Sequence, residues 1–236
     1  MTERSLVPPS ARARIKALAV PFAVGLGRAG LTPNALTIIG FLGTCSAAVL
    51  AGLQLWLAAG IVSLAFAAFD MLDGALARAT GRVSKFGAFL DSTLDRAGES
   101  AVYVGIVWGA SVSGQPALAV ASAATLVVAF LVSYTRARAE GLGYGGDVGI
   151  APRPERVVVM GVGLIATGLG GGIAETAASP SSITATTVVD TSGIQFTNVG
   201  GSPWLAAALG ILFVVSLVTV LQRILHVRDQ AARADG

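Results

Sequence analysis

Long apolar runs separated by short polar connections constrain this chain more than any single residue. Six runs, near 34–53, 55–79, 86–112, 117–139, 153–170 and 204–225, each approach the ~20 residues a helix needs to cross a bilayer. Only 12% of the 236 residues are charged, against roughly 25% in ordinary soluble domains. The expected fold class is all-α: a polytopic membrane protein with six transmembrane helices and an N-terminal interfacial amphipathic helix.

That amphipathic segment is read over 1–32. Arg12, Arg14 and Lys16 alternate there with Ile15, Leu18, Val20 and Phe22, and Pro21 with Gly25, Gly27 and Gly30 breaks it. Thr32-Pro33-Asn34 is a helix start, a capping residue followed by proline at the first helical position. The membrane domain is expected over 33–228 and a cytoplasmic tail over 229–236. Turns are expected at Gln54, Gly81–Lys85 and Gly114–Pro116, with a Gly-rich loop at 141–152 and a Ser/Thr-rich outer loop at 173–203. No signal peptide is evident.

Charge placement sets an expected orientation. Six spans put both termini on one side, and all 16 Lys and Arg fall on that side. The opposite loops carry only Glu175 and Asp190. The termini and the acidic stretch Asp70–Asp95 are therefore expected in the cytoplasm of a cell-membrane protein.

That stretch is the chemical anomaly. Asp70, Asp73, Asp91 and Asp95 sit at helical spacings between apolar runs, where an acid at mid-membrane costs about 2.5–3.5 kcal/mol on insertion scales. Asp70, Asp73 and Ala77 share one helical face, as do Gly87, Asp91 and Asp95. A short connection makes the two helices antiparallel neighbours whose acidic faces can meet. Taken alone, Asp70–Asp73–Gly74 reads equally as a cap and turn. Four converging carboxylates call for cations, and oxygen ligands without His or Cys select Mg²⁺ or Mn²⁺ over zinc. The chain has one His and one Cys, which excludes multi-His and Cys-based metal sites. Gly74, Ala77 and Gly87 clear the face for a bulky ligand, and Arg78 offers a bidentate donor to phosphate. Together these groups suit a diphosphate substrate.

The run D-x2-D-G-x2-A-R-x8-G-x3-D-x3-D, from Asp70 to Asp95, resembles the signature of the CDP-alcohol phosphotransferase family at every fixed position. The resemblance implies that Asp70, Asp73 and Asp91 are the main ligands of two divalent ions. It implies that Asp95 is the general base and also touches a metal. It further implies that Pro33, Asn34, Ala35, Leu36, Gly74, Arg78, Ser84 and Gly87 bind a CDP-linked donor, CDP-diacylglycerol. A homodimer in membrane lipid is the assembly it suggests.

Arg136, Arg138, Arg153 and Arg156 bracket the Gly-rich loop on the same side and favour an anionic acceptor over a neutral alcohol. The segments 133–143 and 149–156 resemble those of bacterial phosphatidylinositol phosphate synthases. By that resemblance Ser133, Arg136, Arg153, Arg156 and Arg223 hold the phosphate of inositol 1-phosphate. Arg at 136, where many relatives have Lys, and the long outer loop are departures from the pattern. The expected reaction is transfer of the phosphatidyl group from CDP-diacylglycerol to inositol 1-phosphate, giving phosphatidylinositol phosphate and CMP. The rival acceptor is glycerol 3-phosphate, as in a phosphatidylglycerophosphate synthase. The rival class is a divalent-cation transporter. A net charge of +3 argues little for nucleic acid, and none is expected as a partner.

Overall fold

The computed structural model describes residues 20–173 and 203–234. The basic stretch with Arg12, Arg14 and Lys16 and the outer loop over 174–202 lie outside the described residues. Among the described residues every regular element is helical. Residues 20–28 form α1. It is followed by α2 (Pro33–Gly52), α3 (Trp56–Phe69), α4 (Met71–Ala79), α5 (Lys85–Val112), α6 (Pro116–Gly141), α7 (Arg153–Leu169) and α8 (Pro203–Ala234).

The helix starts follow their local chemistry. Thr32 caps α2, its Oγ1 accepting from the Ala35 N–H at 3.2 Å, with Pro33 in the first turn. Ser84 caps α5 in the same way, accepting from the Gly87 N–H at 2.9 Å. Gln54 turns α2 into α3 with a φ of 63°. Gly114 turns α5 into α6 at a φ of 69°, where glycine carries no steric penalty. The expected second span is divided: α3 closes and α4 opens at Asp70, whose backbone stays helical at φ −54° and ψ −27°. At the far end α8 runs past the expected end of the apolar run, near 225, to Ala234.

Four stretches are long and apolar enough to cross a bilayer: Pro33–Gly52, Trp56–Ala79, Pro116–Gly141 and Pro203–Ala234. The other two expected spans, α5 and α7, fall outside that set for visible reasons. The N-terminal half of α5 carries Lys85, Asp91, Asp95, Arg96 and Glu99, while α7 has only 17 residues and opens with Arg153, Glu155 and Arg156.

The helices pack as a closed ring. α2 lies against α5, α5 against α6, α6 against α8, α8 against α7, α7 against α3 and α3 against α2. The interior is filled by small and apolar side chains, including Ala47, Ala51, Tyr103, Ile106, Leu164, Leu209 and Leu212. A second cluster joins α1, α2 and α4 through Ala23, Leu36, Leu72, Ala75 and Leu76.

Without a hydrophobic force between helices in lipid, close approach depends on small residues. One tight instance is Gly105 of α5 against Ala48 of α2. A Cβ at 105 would stand 2.9 Å from the Ala48 carbonyl carbon, 3.0 Å from its Cα, and closer still to its oxygen. Those are backbone atoms, which cannot turn aside. Gly105→Ala should therefore cost about 1–3 kcal/mol, the range for overpacking. The readout is a lower thermal-unfolding midpoint of the purified chain in detergent.

Candidate active site

The site forms where the starts of α2 and α5 meet the junction of α3 and α4. Gly87 is what lets the two helix starts approach. A Cβ there would lie 3.0 Å from Ser84 Oγ and 3.2 Å from Asn34 Oδ1. Between these elements opens a cleft of about 300 Å³, lined by Pro33, Asn34, Thr37, Asp73, Gly74, Ala77, Arg78, Ser84, Gly87 and Asp91 among others. Arg78 folds back over Gly74, with Nη1 3.2 Å from where a Cβ would stand. Asp70, Asp73, Gly74 and Arg78 also face a neighbouring cleft of about 280 Å³, with Val20 and Met71.

Six of the eight expected donor residues thus line one cleft. Two are differently employed. Leu36 is 1% exposed and packs with Ala23, Leu72 and Leu76. Ala35 gives its N–H to the Thr32 cap.

The four carboxylates divide into two pairs. Asp73 and Asp91 line the cleft. Asp73 is buried, accepting from Thr37 Oγ1 at 2.6 Å and, through Oδ1, from its neighbour's N–H at Gly74. Asp70 and Asp95 instead share Arg153 of α7. Nη2 of that arginine is 3.1 Å from Asp70 Oδ2, and Nη1 is 2.7 Å from Asp95 Oδ2. Gly40 admits this arrangement, because a Cβ there would collide with Asp70 Oδ1.

The four acids stand within electrostatic reach of one another, with two of them tied to Arg153 rather than aimed at one shared point. Among the described residues no three His, Cys, Asp or Glu side chains form a metal-ligating group. The reason is local: Thr37 and the Gly74 N–H hold Asp73, while Arg153 draws Asp70 and Asp95 to itself. The donor chemistry nevertheless fits a hard divalent cation. It is all oxygen, and two of its carboxylates already take a cationic partner from 83 and 58 positions away in sequence.

The members of the expected acceptor group each have partners of their own, while Arg223 lies within electrostatic reach of Arg136 and Arg156. Arg153 lies among the acids, and its Nε is buried without a hydrogen-bond partner among the described residues. Arg156 is 1% exposed and makes a two-pronged pair with Glu99, Nε to Oε1 and Nη2 to Oε2 both at 2.8 Å. Its Nη1 donates to the Ala151 carbonyl at 3.0 Å. Arg223 donates through Nε to the Val148 carbonyl at 2.8 Å and through Nη1 to the Val132 carbonyl. Arg136 pairs with Glu140 at 2.9 Å and Asp147 at 3.0 Å on the surface. Ser133 lines a small cavity with Arg96, Glu99 and Tyr103.

Thr37, Gly40 and Glu99 escaped the sequence reading as partners of the site. A signal for two of them exists. Thr37, Gly40, Thr44 and Ala47 recur at intervals of three and four along α2 and are all buried, which marks one small, polar face of that helix.

The chain is similar in sequence and fold to known proteins. The CDP-alcohol phosphatidyltransferase family profile matches residues 30–188. The chain is 40% identical to the phosphatidylinositol phosphate synthase of Mycolicibacterium smegmatis over 225 residues, 92% of this chain and 86% of the relative. Two solved structures of Mycobacterium tuberculosis phosphatidylinositol phosphate synthase superpose on it at 33% identity. The one with CDP-DAG bound has a TM-score of 0.72, covering 89% of this chain and 94% of that one. The one in complex with manganese and citrate has a TM-score of 0.71, covering 89% and 88%. The fold is shared with these solved structures, and the chain belongs to the CDP-alcohol phosphatidyltransferase family.

Proposed function

We propose that this chain transfers the phosphatidyl group of CDP-diacylglycerol to inositol 1-phosphate, releasing CMP. The observation that carries the reading is the single cleft in which Asp73, Asp91, Gly74, Arg78 and Ser84 stand together, next to an arginine that two further acids share. The cleft suits a nucleoside diphosphate. The Ser84 cap and the start of α2 offer helix N-termini to it, and Arg78 lies over the bare backbone at Gly74. Pro33, Asn34 and Gly87 complete the donor side, with Ala35 and Leu36 behind them supporting the start of α2.

Asp70, Asp73, Asp91 and Asp95 would together hold divalent metal, two ions of Mg²⁺ or Mn²⁺, once Arg153 gives up its two acids. Metal bound there supplies positive charge against the diphosphate and the departing CMP. Asp95 takes the proton of the acceptor hydroxyl, and that oxygen bonds to the β-phosphorus. The bond from the β-phosphorus to the bridging oxygen breaks, and the electron pair leaves with CMP. Arg153 must first exchange Asp95 for another anion. The acceptor's phosphate is such an anion, and the partnerless Nε of Arg153 favours it. Ser133, Arg136, Arg156 and Arg223 form the remainder of the acceptor side. Arg156 and Arg223 act there mainly by fixing backbone.

The membrane reading extends to six spans, α2, the α3–α4 pair, α5, α6, α7 and α8, which the closed ring supports. The domain runs over 33–228, with an amphipathic segment at 1–32 lying in the interface and a tail at 229–236. Both termini and the cleft face the cytoplasm, supported by the one-sided placement of the basic residues. A homodimer accompanies the family resemblance.

The deciding measurement is CMP release from CDP-diacylglycerol and Mg²⁺ by purified membranes given inositol 1-phosphate, inositol, glycerol 3-phosphate or serine. Release with inositol 1-phosphate alone is expected. Release with glycerol 3-phosphate instead reassigns the acceptor, and no release with any of them returns the chain to cation transport. In the same assay Asp95→Asn should lower turnover by about 10²–10⁴-fold, the usual contribution of a positioned base. CDP-diacylglycerol binding, measured separately, should survive the change; loss of both together would rule out the base role.

A further inference from the structure

The loop over 142–152 joins α6 to α7, and α8 fastens it along one side. Gln230 exchanges hydrogen bonds with Gly145, side-chain oxygen to N–H and side-chain nitrogen to carbonyl, both at 2.9 Å. Arg223 holds the Val148 carbonyl. Between them and α7 stands Thr219, which is fully buried.

The Thr219 hydroxyl is used to capacity. It donates to the Val215 carbonyl at 2.8 Å, the ordinary bond of a threonine to its own helix. It also accepts from the Ala151 N–H at 3.1 Å and the Ile150 N–H at 3.3 Å. One donor and two lone pairs are all a hydroxyl has. A threonine that merely filled space in an apolar bundle would need only the first bond. The approach depends on Gly149, whose φ of 130° suits glycine and whose Cβ, if it had one, would run into Thr219 Cγ2. The other side of Ala151 is held too, since its carbonyl accepts from Arg156. Ala151 is thus pinned at both its amide and its carbonyl, two residues before α7 begins at Arg153.

We propose that Thr219 is a positioning residue: by holding the Ile150 and Ala151 amides it fixes the first turn of α7, and with it the reach of Arg153 toward Asp70, Asp95 and the acceptor's phosphate. This rests on the acceptor reading above for its effect on catalysis, but not for its effect on the loop. Thr219→Val keeps the shape and removes the hydroxyl, whereas Thr219→Ser keeps the hydroxyl. Both are tested as full chains in detergent. CMP release is measured with inositol 1-phosphate and CDP-diacylglycerol varied separately, alongside amide hydrogen exchange of the 148–152 segment. Thr219→Val should raise KM for inositol 1-phosphate about tenfold, the worth of a lost buried hydrogen bond. KM for CDP-diacylglycerol should stay within about twofold, and exchange at 150 and 151 should quicken. Thr219→Ser should restore wild-type values in all three. A wild-type chain inactive on inositol 1-phosphate would defeat the acceptor reading without touching the exchange result. Unchanged exchange in Thr219→Val, or a rise in both KM values that Thr219→Ser fails to correct, overturns the proposal.

Discussion

Two arginines of α7 face two acids of α5, and the placement of the site depends on that pairing. Asp95 and Glu99 are one turn apart on α5; Arg153 and Arg156 are one turn apart on α7. They meet as rungs, Asp95 with Arg153 at 2.7 Å and Glu99 with Arg156 at 2.8 Å. Charges this far from water are tolerable only when paired and hydrogen-bonded. The inner rung satisfies that condition fully, since all three guanidinium nitrogens of Arg156 have acceptors. The outer rung does not: Arg153 serves two acids and leaves its Nε without one. The same pair of helices therefore carries one static fastening and, a single turn away, a charge arrangement with room to change partners.

That arrangement is delivered to the cleft by close backbone approach. α2 presents Gly40 to Asp70 and Thr37 to Asp73, so both acids of the α3–α4 junction rest against one helix. Further along, Gly43 of α2 admits Phe66 of α3, and Gly105 of α5 admits Ala48 of α2. These contacts bring both α3 and α5 against α2. Asp70 and Asp73 from one side and Asp91 from the other then open into neighbouring clefts. The packing that stabilises the ring and the geometry that assembles the site are consequently the same set of small residues.

The sequence made local features legible and left distant ones hidden. Thr32-Pro33, Ser84, Gln54 and Gly114 mark their helix ends through bonds within a few residues, and the structure has boundaries there. The donor side was also readable, because Asp73, Gly74, Arg78, Ser84, Gly87 and Asp91 come from one continuous stretch folded on itself. The partners of Arg153 and Arg156 were not readable. Helical spacing says which side chains share a face, but not which helix that face will meet, and the acidic partners of these arginines lie 57 positions or more away. Reading the basic residues as one acceptor group therefore overlooked Glu99. The division of the second span at Asp70 was hidden for a different reason: that residue keeps helical angles, so no local breaker marks it.

The interior beyond the acids bears on the choice between transferase and transporter. A cation path would need oxygen ligands continuing inward from Asp70 and Asp95. The ring is instead filled there by Ala47, Ala51, Ile106, Leu164, Leu209 and Leu212. Several buried hydroxyls are turned onto helix carbonyls: Ser122 onto Tyr103, Thr125 onto Ala121 and Thr167 onto Gly163. Each of these hydroxyls is bonded within the bundle and serves its helices. Asp70, Asp73 and Asp91 accordingly face open clefts, beside Arg78 and the N-terminal turns of α2 and α5, while Asp95 stands behind them against Arg153. Such a mouth is suited to receiving a phosphorylated ligand from its own side of the membrane rather than to handing a cation across it.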